Sequence, residues 1–273
     1  MSDVVADDGM LRSIPQLLRN DVAVTSLIGA VDGTVAIPEV ARGVAIAALA
    51  QLSGRRPLVV ACPTTTMATQ LHAELRAFLR RDDVLLFPAW ETLPFERVSP
   101  SVDTMSRRLE VLWRLQDPDR HPQVVVTSMR ALLQQLGPNT ASVQPVIVSK
   151  GSSIDPEDLL RTLVRNGYRR EEIVEHRGEV ARRGAIVDVF PPTRDAPVRI
   201  DLWGDEVDRL TEFSVHDQRS DADLDQVLSF PARELVLDDA TRRRAHDLIA
   251  AEPWGREHWE KLAEGAIFDG MES

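Results

Sequence analysis

The chain has 273 residues, 43% hydrophobic and 27% charged, an ordinary balance for a globular protein with enough sequence for two domains. Its 43 acidic residues outnumber 32 basic ones, and the net charge of −11 opposes long-range attraction to a phosphate backbone, which counts against a stand-alone nucleic-acid binder. The single cysteine, Cys62, excludes an intrachain disulfide and argues against a zinc cluster. No apolar run reaches the roughly 18–20 residues a membrane span needs, and the acidic start MSDVVADDGML is unlike a basic signal peptide, so a cytoplasmic protein with no membrane partner is expected.

In chain order, residues 1–20 read as a lead-in. Met10, Leu11, Ile14, Leu17 and Leu18 recur at helical spacing, while Pro15 argues against a long helix. Strands and helices then alternate. Leu58-Val59-Val60-Ala61 has the continuous apolar character of a strand buried on both faces. Thr64 to Thr66 supply a helix cap, and Met67, Leu71, Leu75 and Phe78 follow at helical spacing. Val84–Phe87 reads as the next strand, Met105, Leu109 and Leu112 as a helix, and Val124–Thr127 as a third strand. Ser128 caps a further helix expected to reach about Leu136. Repeated strand–helix units predict an α/β domain built on a parallel sheet, over residues 21–144.

The pattern changes near residue 145. After Val146–Val148, the Asp155-Pro156-Glu157 run combines a cap, a proline in the first turn and an acid, and so opens a helix. Strands then follow without long helices between them: Ile186–Phe190, Val198–Leu202 and Val207–Val215, punctuated by Pro191-Pro192 and Gly204-Asp205. A small antiparallel α+β domain over 145–231 is expected. Residues 232–273 are read as helical again, with Trp254, Trp259 and Leu262 as candidate core. The chain stops at Met271-Glu272-Ser273 without a capping signal, which reads as a cut rather than a natural end.

A phosphate loop in such an α/β domain belongs between its first strand and first helix. The segment there, after an apolar lead-in at Leu27-Ile28, is Gly29-Ala30-Val31-Asp32-Gly33-Thr34-Val35-Ala36. Laid on G-x-x-x-x-G-K-[ST], the second glycine falls on Thr34, the phosphate-binding lysine on Val35 and the magnesium-binding hydroxyl on Ala36. Valine cannot neutralise a phosphate and alanine cannot ligate a metal, so ATP hydrolysis here is disfavoured. A plain strand–turn–helix junction and a degenerate phosphate loop remain open. No strand ends in adjacent acids suited to a magnesium-bound water, and no metal or catalytic constellation stands out.

The densest signal lies in HRGEVARRGAIVDVFPPTRDAPVRIDLWGDEVDRLTEFSVHDQR, residues 176–219. Strand alternation along Val198–Trp203 puts Val198, Ile200 and Leu202 on one face and Arg199, Asp201 and Trp203 on the other. Tryptophan and arginine are the residue types that dominate interface hot spots, and arginine clamps carboxylates with paired hydrogen bonds. Against a docking role stands a bland alternative, in which Trp203 packs into a second core layer under Arg199. Arg182 and Arg183 equally suit a solvated turn, as do Arg169-Arg170 and Glu171-Glu172.

The blocks RGEVARRGAIVDVFP and VRIDLWGDEVDRLTEFSVHDQRS, with FPAWETLPFERVSPSVDTMSRRLEVLWRL at 87–115, resemble the amino-terminal region of bacterial transcription-repair coupling factors, which is itself similar to the front half of the excinuclease protein UvrB. The resemblance runs over roughly residues 20–273, with 232–273 beginning the returning part of the first domain. It implies a non-catalytic adaptor whose nucleotide loop, at Gly29, Gly33, Thr34, Val35 and Ala36, has degenerated. The tyrosine-rich DNA-gripping hairpin is also lost; the chain has one tyrosine, Tyr168. The implied partner is UvrA, the damage-recognition ATPase of the excinuclease, met through Arg183, Arg199 and Trp203, with Arg182 and Glu179 flanking. In relatives the position of Trp203 is phenylalanine. RNA polymerase, DNA, ATP with magnesium, and an autoinhibitory carboxy-terminal domain are implied only for parts of the family's chain that these residues lack. The competing reading is an ATP-dependent helicase or UvrB-type fragment that binds DNA.

Overall fold

In the computed structural model the described residues are 9–93, 96–137 and 140–272. They form two compact units, one from Met1–Ala89 with Arg114–Gln135, the other from Trp90–Trp113 with Leu136–Ser273.

The first unit opens with α1 (Gly9–Leu17), which accommodates Pro15 and stops two residues later, followed by α2 (Val22–Leu27) and α3 (Arg42–Leu52). Next come β1 (Leu58–Cys62), α4 (Thr65–Phe78) and β2 (Val84–Phe87). The chain leaves the unit after Ala89, re-enters it at the end of α5 (Val102–Leu115) and continues as β3 (Val124–Ser128) and α6 (Met129–Leu133). The three strands are all parallel in the order β1-β3-β2, with Val124 level with both Leu58 and Val84. Thr64 Oγ1 accepts from Met67 N and Ser128 Oγ from Ala131 N, so both expected caps form. Leu71 and Leu75 of α4 bury against Val84, Val124 and Val126, each large side chain adding about 1.5–3 kcal/mol by removal from water.

Three sequence expectations change here. The strand buried on both faces is β3, whose five residues are all inaccessible; β1 is an edge strand with Val59 exposed. Its apolar character reflects sheet propensity, which does not distinguish edge from centre. The Leu27-Ile28 lead-in is the end of helix α2 rather than a strand, so segment 29–38 joins a helix to a helix. Helix α6 ends at Leu133, because Gln134 is already extended and Leu133 finds no core to cover.

The second unit adds β4 (Val146–Ser149), α7 (Pro156–Arg165), β5 (Arg169–Arg170), β6 (Glu179–Arg183), β7 (Ile186–Val189), β8 (Val198–Trp203), β9 (Glu206–Phe213), β10 (Ser220–Asp223) and β11 (Gln226–Ser229). Helices α8 (Asp239–Ala251) and α9 (Arg256–Glu264) complete it. Strands β5 to β10 form one six-stranded sheet in sequence order, antiparallel except for the short β5–β6 pair; β4 and β11 pair separately. Arg169-Arg170 is therefore an edge strand rather than a turn, although both side chains stay in solvent.

Asp155 caps α7 through the amides of Glu157 and Asp158, with Pro156 in the first turn. The helix lays Leu159, Leu160 and Leu163 on the face formed by Val180, Val187, Val198, Ile200, Leu202 and Leu210. On α5, Arg108 is wholly buried and ion-paired with Glu234 (Nε–Oε2 2.9 Å), and Glu234 also accepts from Trp90 Nε1 (2.7 Å). Residues 90–113 thus pack with the chain's last quarter. Leu262 joins a core with Leu237, Ala245 and Met271, and Trp259 packs beside it. Trp254, expected inside, is 79% exposed.

Candidate functional site

The site is the face of the six-stranded sheet turned away from α7. Two hairpins bring it together. Between β6 and β7 the turn is Gly184-Ala185, and between β8 and β9 it is Gly204-Asp205; the leading glycines have φ of +62° and +63°. A two-residue hairpin with glycine first needs that left-handed backbone, which a β-carbon would strain. Asp201 of β8 pairs with Ile186 of β7, so both turns lie at the same end of the sheet.

Register then decides which side chains meet. Asp188 of β7 stands opposite both Ala181 of β6 and Arg199 of β8. Its neighbours Val187 and Val189 point into the core, so Asp188 must point to the other face, where it is 1% exposed. Arg199 meets it with two bonds, Nε to Oδ1 at 2.7 Å and Nη2 to Oδ2 at 2.9 Å, and Arg183 Nη2 donates to the same Oδ2 at 2.8 Å. The third nitrogen of Arg199 donates to Gln218 O at 3.1 Å, and Gln218 holds a positive φ of 59°. The hydrogen bonds to Asp188 raise the Arg199 pKa despite its burial. Partial burial lifts the Asp201 carboxyl, helped by the charges of Asp188 and Asp208 against those of Arg199 and Arg209.

The guanidinium of Arg199 also lies over the Phe213 ring, 4.7 Å from its centroid. Phe213 belongs to a small apolar cluster with Val174, Ala181 and Phe190 that closes one end of this face. The other end is open, and there Trp203 is 83% exposed. The alternative of Trp203 tucked beneath Arg199 therefore fails, since Phe213 takes that place.

Of the residues singled out in the sequence, Arg183, Arg199 and Trp203 share this face. Arg183 ends β6 beside the glycine turn with its side chain 47% exposed; that of Arg199 is only 15% exposed. Arg182 alternates to the opposite face, where it binds Glu157 of α7 and Gly184 O. Glu179 is buried and accepts from the amides of Glu175 (2.9 Å) and His176 (2.8 Å) and from Arg169. Burial works against its charge, but those amide bonds and the charges of His176 and Arg169 outweigh it and hold the carboxyl below its usual range. Its role is to shape the 175–178 turn. Sequence reasoning missed Asp188, the carboxylate that joins both arginines. The signal was present as an acid at an alternate position of the apolar strand Ile186–Val189, level with an arginine one strand over.

At Gly29, Gly33, Thr34, Val35 and Ala36 the chain runs largely exposed and without regular structure, Gly29 at φ +83°. Among the described residues no strand precedes it, so no strand end positions this segment as it would a phosphate loop. Among the described residues no group of three or more His, Cys, Asp or Glu is placed to hold a metal, and no helix is long and apolar enough to cross a membrane.

Residues 146–235 match the family described as the UvrB interaction domain, so the six-stranded sheet and its arginine–tryptophan face lie within a domain of that class. Beyond that segment, the chain is 40% identical over 255 residues to the transcription-repair-coupling factor of Mycobacterium bovis, a match covering 88% of this chain and 20% of that protein. The Escherichia coli factor is 30% identical over 221 residues, covering 79% and 19%. UvrABC system protein B of Gemmatimonas aurantiaca is 29% identical over 211 residues, covering 72% and 30%. The chain is thus a homologue of the transcription-repair-coupling factors and spans about a fifth of the length of those it matches.

Proposed function

We propose that this chain is the amino-terminal adaptor module of a transcription-repair coupling factor, that it recruits UvrA in transcription-coupled nucleotide excision repair, and that it performs no catalysis itself. The observation that carries the reading is Trp203, held in water at the open end of the sheet face that also carries two arginines anchored on one buried carboxylate. An exposed tryptophan and a positioned guanidinium on one face have the composition of an interface hot spot, because both residue types bring large contact area. Arg183 and Trp203 would meet the partner directly. Arg199 would hold the patch in shape and offer its remaining edge. Glu179 and Arg182 would contribute only through the loops they fix.

The segment 29–36 supports the non-catalytic half of the reading. Val35 and Ala36 stand where lysine and a hydroxyl would be required, and the chain there joins two helices. ATP turnover, DNA translocation, contact with RNA polymerase and cover by a carboxy-terminal domain are assigned to the longer chain of such a factor, in the cytoplasm.

The test is calorimetric titration of this chain with purified UvrA. The wild type binds and Trp203→Ala or Arg183→Ala binds at least about 2 kcal/mol more weakly, with both variants fully folded at the titration temperature. A folded wild type that gives no heat of binding removes the adaptor reading.

A further inference from the structure

On the opposite side of the same unit, α7 and the segment from Leu237 to Ile267 enclose an open groove of about 450 Å³. Its floor is apolar, formed by Leu160, Val164, Leu237 and Ile267, and its rim carries Arg161, Arg165, Arg170 and Arg242 with one acid, Glu157. That acid is already engaged by Arg182, and Arg161 by Asp158. Arg165, Arg170 and Arg242 have no ion-pair partner among the described residues. Three uncompensated guanidinium groups around one apolar trough stand out in a chain of net charge −11.

Arg242 is also held in place. Its guanidinium lies against Gly265, where an added β-carbon would come within 2.4 Å of Nη2, and Gly265 has φ +79°. Its Nε is buried with no hydrogen-bond partner among the described residues. Packing against Gly265 limits where the guanidinium can sit, so less of its freedom is lost when a ligand meets its exposed edge.

We propose that this groove binds an acidic protein segment that places an apolar side chain on the floor and carboxylates on Arg165, Arg170 and Arg242. Carboxylates fit because arginine grips them through two parallel hydrogen bonds, and exposed rim charges speed the encounter. The apolar floor selects against bare anions, phosphates included, because they would leave the exposed Val164 and Ile267 in water. The groove lies on the α7 side of the sheet and the Trp203 patch on the other, so the two sites are separate.

The test uses the 273-residue chain and a fluorescein-labelled, capped peptide Glu-Glu-Leu-Leu-Glu-Glu, read by fluorescence anisotropy at low salt. Saturable binding is expected. The double variant Arg165→Glu/Arg170→Glu weakens it at least about ten-fold, since both sites are surface side chains and attraction becomes repulsion. Arg80→Glu/Arg81→Glu, which changes the net charge equally, leaves it intact. Circular dichroism melts check that both variants are folded. Four results each overturn the proposal: no saturable binding by the wild type, equal loss in the two double variants, hexaglutamate binding as tightly as the leucine-containing peptide, or short duplex DNA displacing the peptide more readily than unlabelled peptide does.

Discussion

Arg199 holds Asp188 through two parallel hydrogen bonds of 2.7 and 2.9 Å across adjacent strands, and the carboxylate so held is 1% exposed. A buried carboxylate is tolerable only while its charge is met, so the pair is as much a structural clamp as a recognition element. Arg183 adds a third bond from the solvent side. The two arginines that sequence pattern treats alike therefore have different costs of removal.

Arg199→Ala is expected to destabilise the second unit by about 2–3 kcal/mol, because it leaves the buried Asp188 charge with the single bond from the half-exposed Arg183. Arg199→Lys recovers only part of this, since an ammonium cannot reproduce the paired geometry. Arg183→Ala costs about 1 kcal/mol or less, as half of that side chain is in water. Urea denaturation followed by tryptophan fluorescence and circular dichroism measures all three. Equal stability of Arg199→Ala and wild type would show that the clamp is dispensable.

Trp203→Ala should leave the denaturation midpoint unchanged, since its ring buries almost nothing in the free chain. Under the proposed docking role, Trp203→Phe should keep most of the heat of binding on titration with UvrA, while Trp203→Ala loses it. A substantial drop in stability with Trp203→Ala would mean that the ring packs in solution.

The Arg108–Glu234 pair, 0% and 1% exposed, permits a cleaner dissection. Either single replacement, Arg108→Met or Glu234→Leu, leaves a buried charge and is expected to cost about 3–5 kcal/mol. The double replacement should cost well under the sum of the two single losses. A double-mutant cycle by chemical denaturation gives the coupling directly, and strict additivity would contradict the ion pair.

Glu179 sets a pH dependence. Its folded-state pKa is depressed, so its ionised form is favoured more in the fold than in the unfolded chain. The stabilisation is complete above the ordinary glutamate value of about 4.3 and is lost as pH falls through the lower, folded value. Glu179→Gln should flatten the acid side of the stability–pH curve below about pH 5 and lower the plateau above it by a constant amount. An identical acid limb in wild type and variant would remove the assignment.

Much of the secondary structure was legible in the residues. Periodicity located α4, β2, β3, β8 and α7, and the caps at Thr64, Ser128 and Asp155 form where side-chain oxygens next to apolar helical runs suggested. Strands β6, β10 and β11 are not legible there, because short strands rich in Arg, Asp and Gln carry no alternation signal of their own and are defined by the partner they pair with.

The face on which Arg199 and Trp203 lie is a local property of β8, since alternate residues point to opposite sides, and the sequence alone determined it. What that face contains was decided by tertiary pairing. The β7–β8 register sets Asp188 against Arg199, the turn at Gly184 brings Arg183 to the same carboxylate, and Phe213 from β9 takes the place under the guanidinium that leaves Trp203 in water. The contrast between Arg182, turned to α7, and Arg183, turned to Asp188, arises from a one-residue step along a strand. Residue composition carries no trace of such a step until the neighbouring strands fix its two sides.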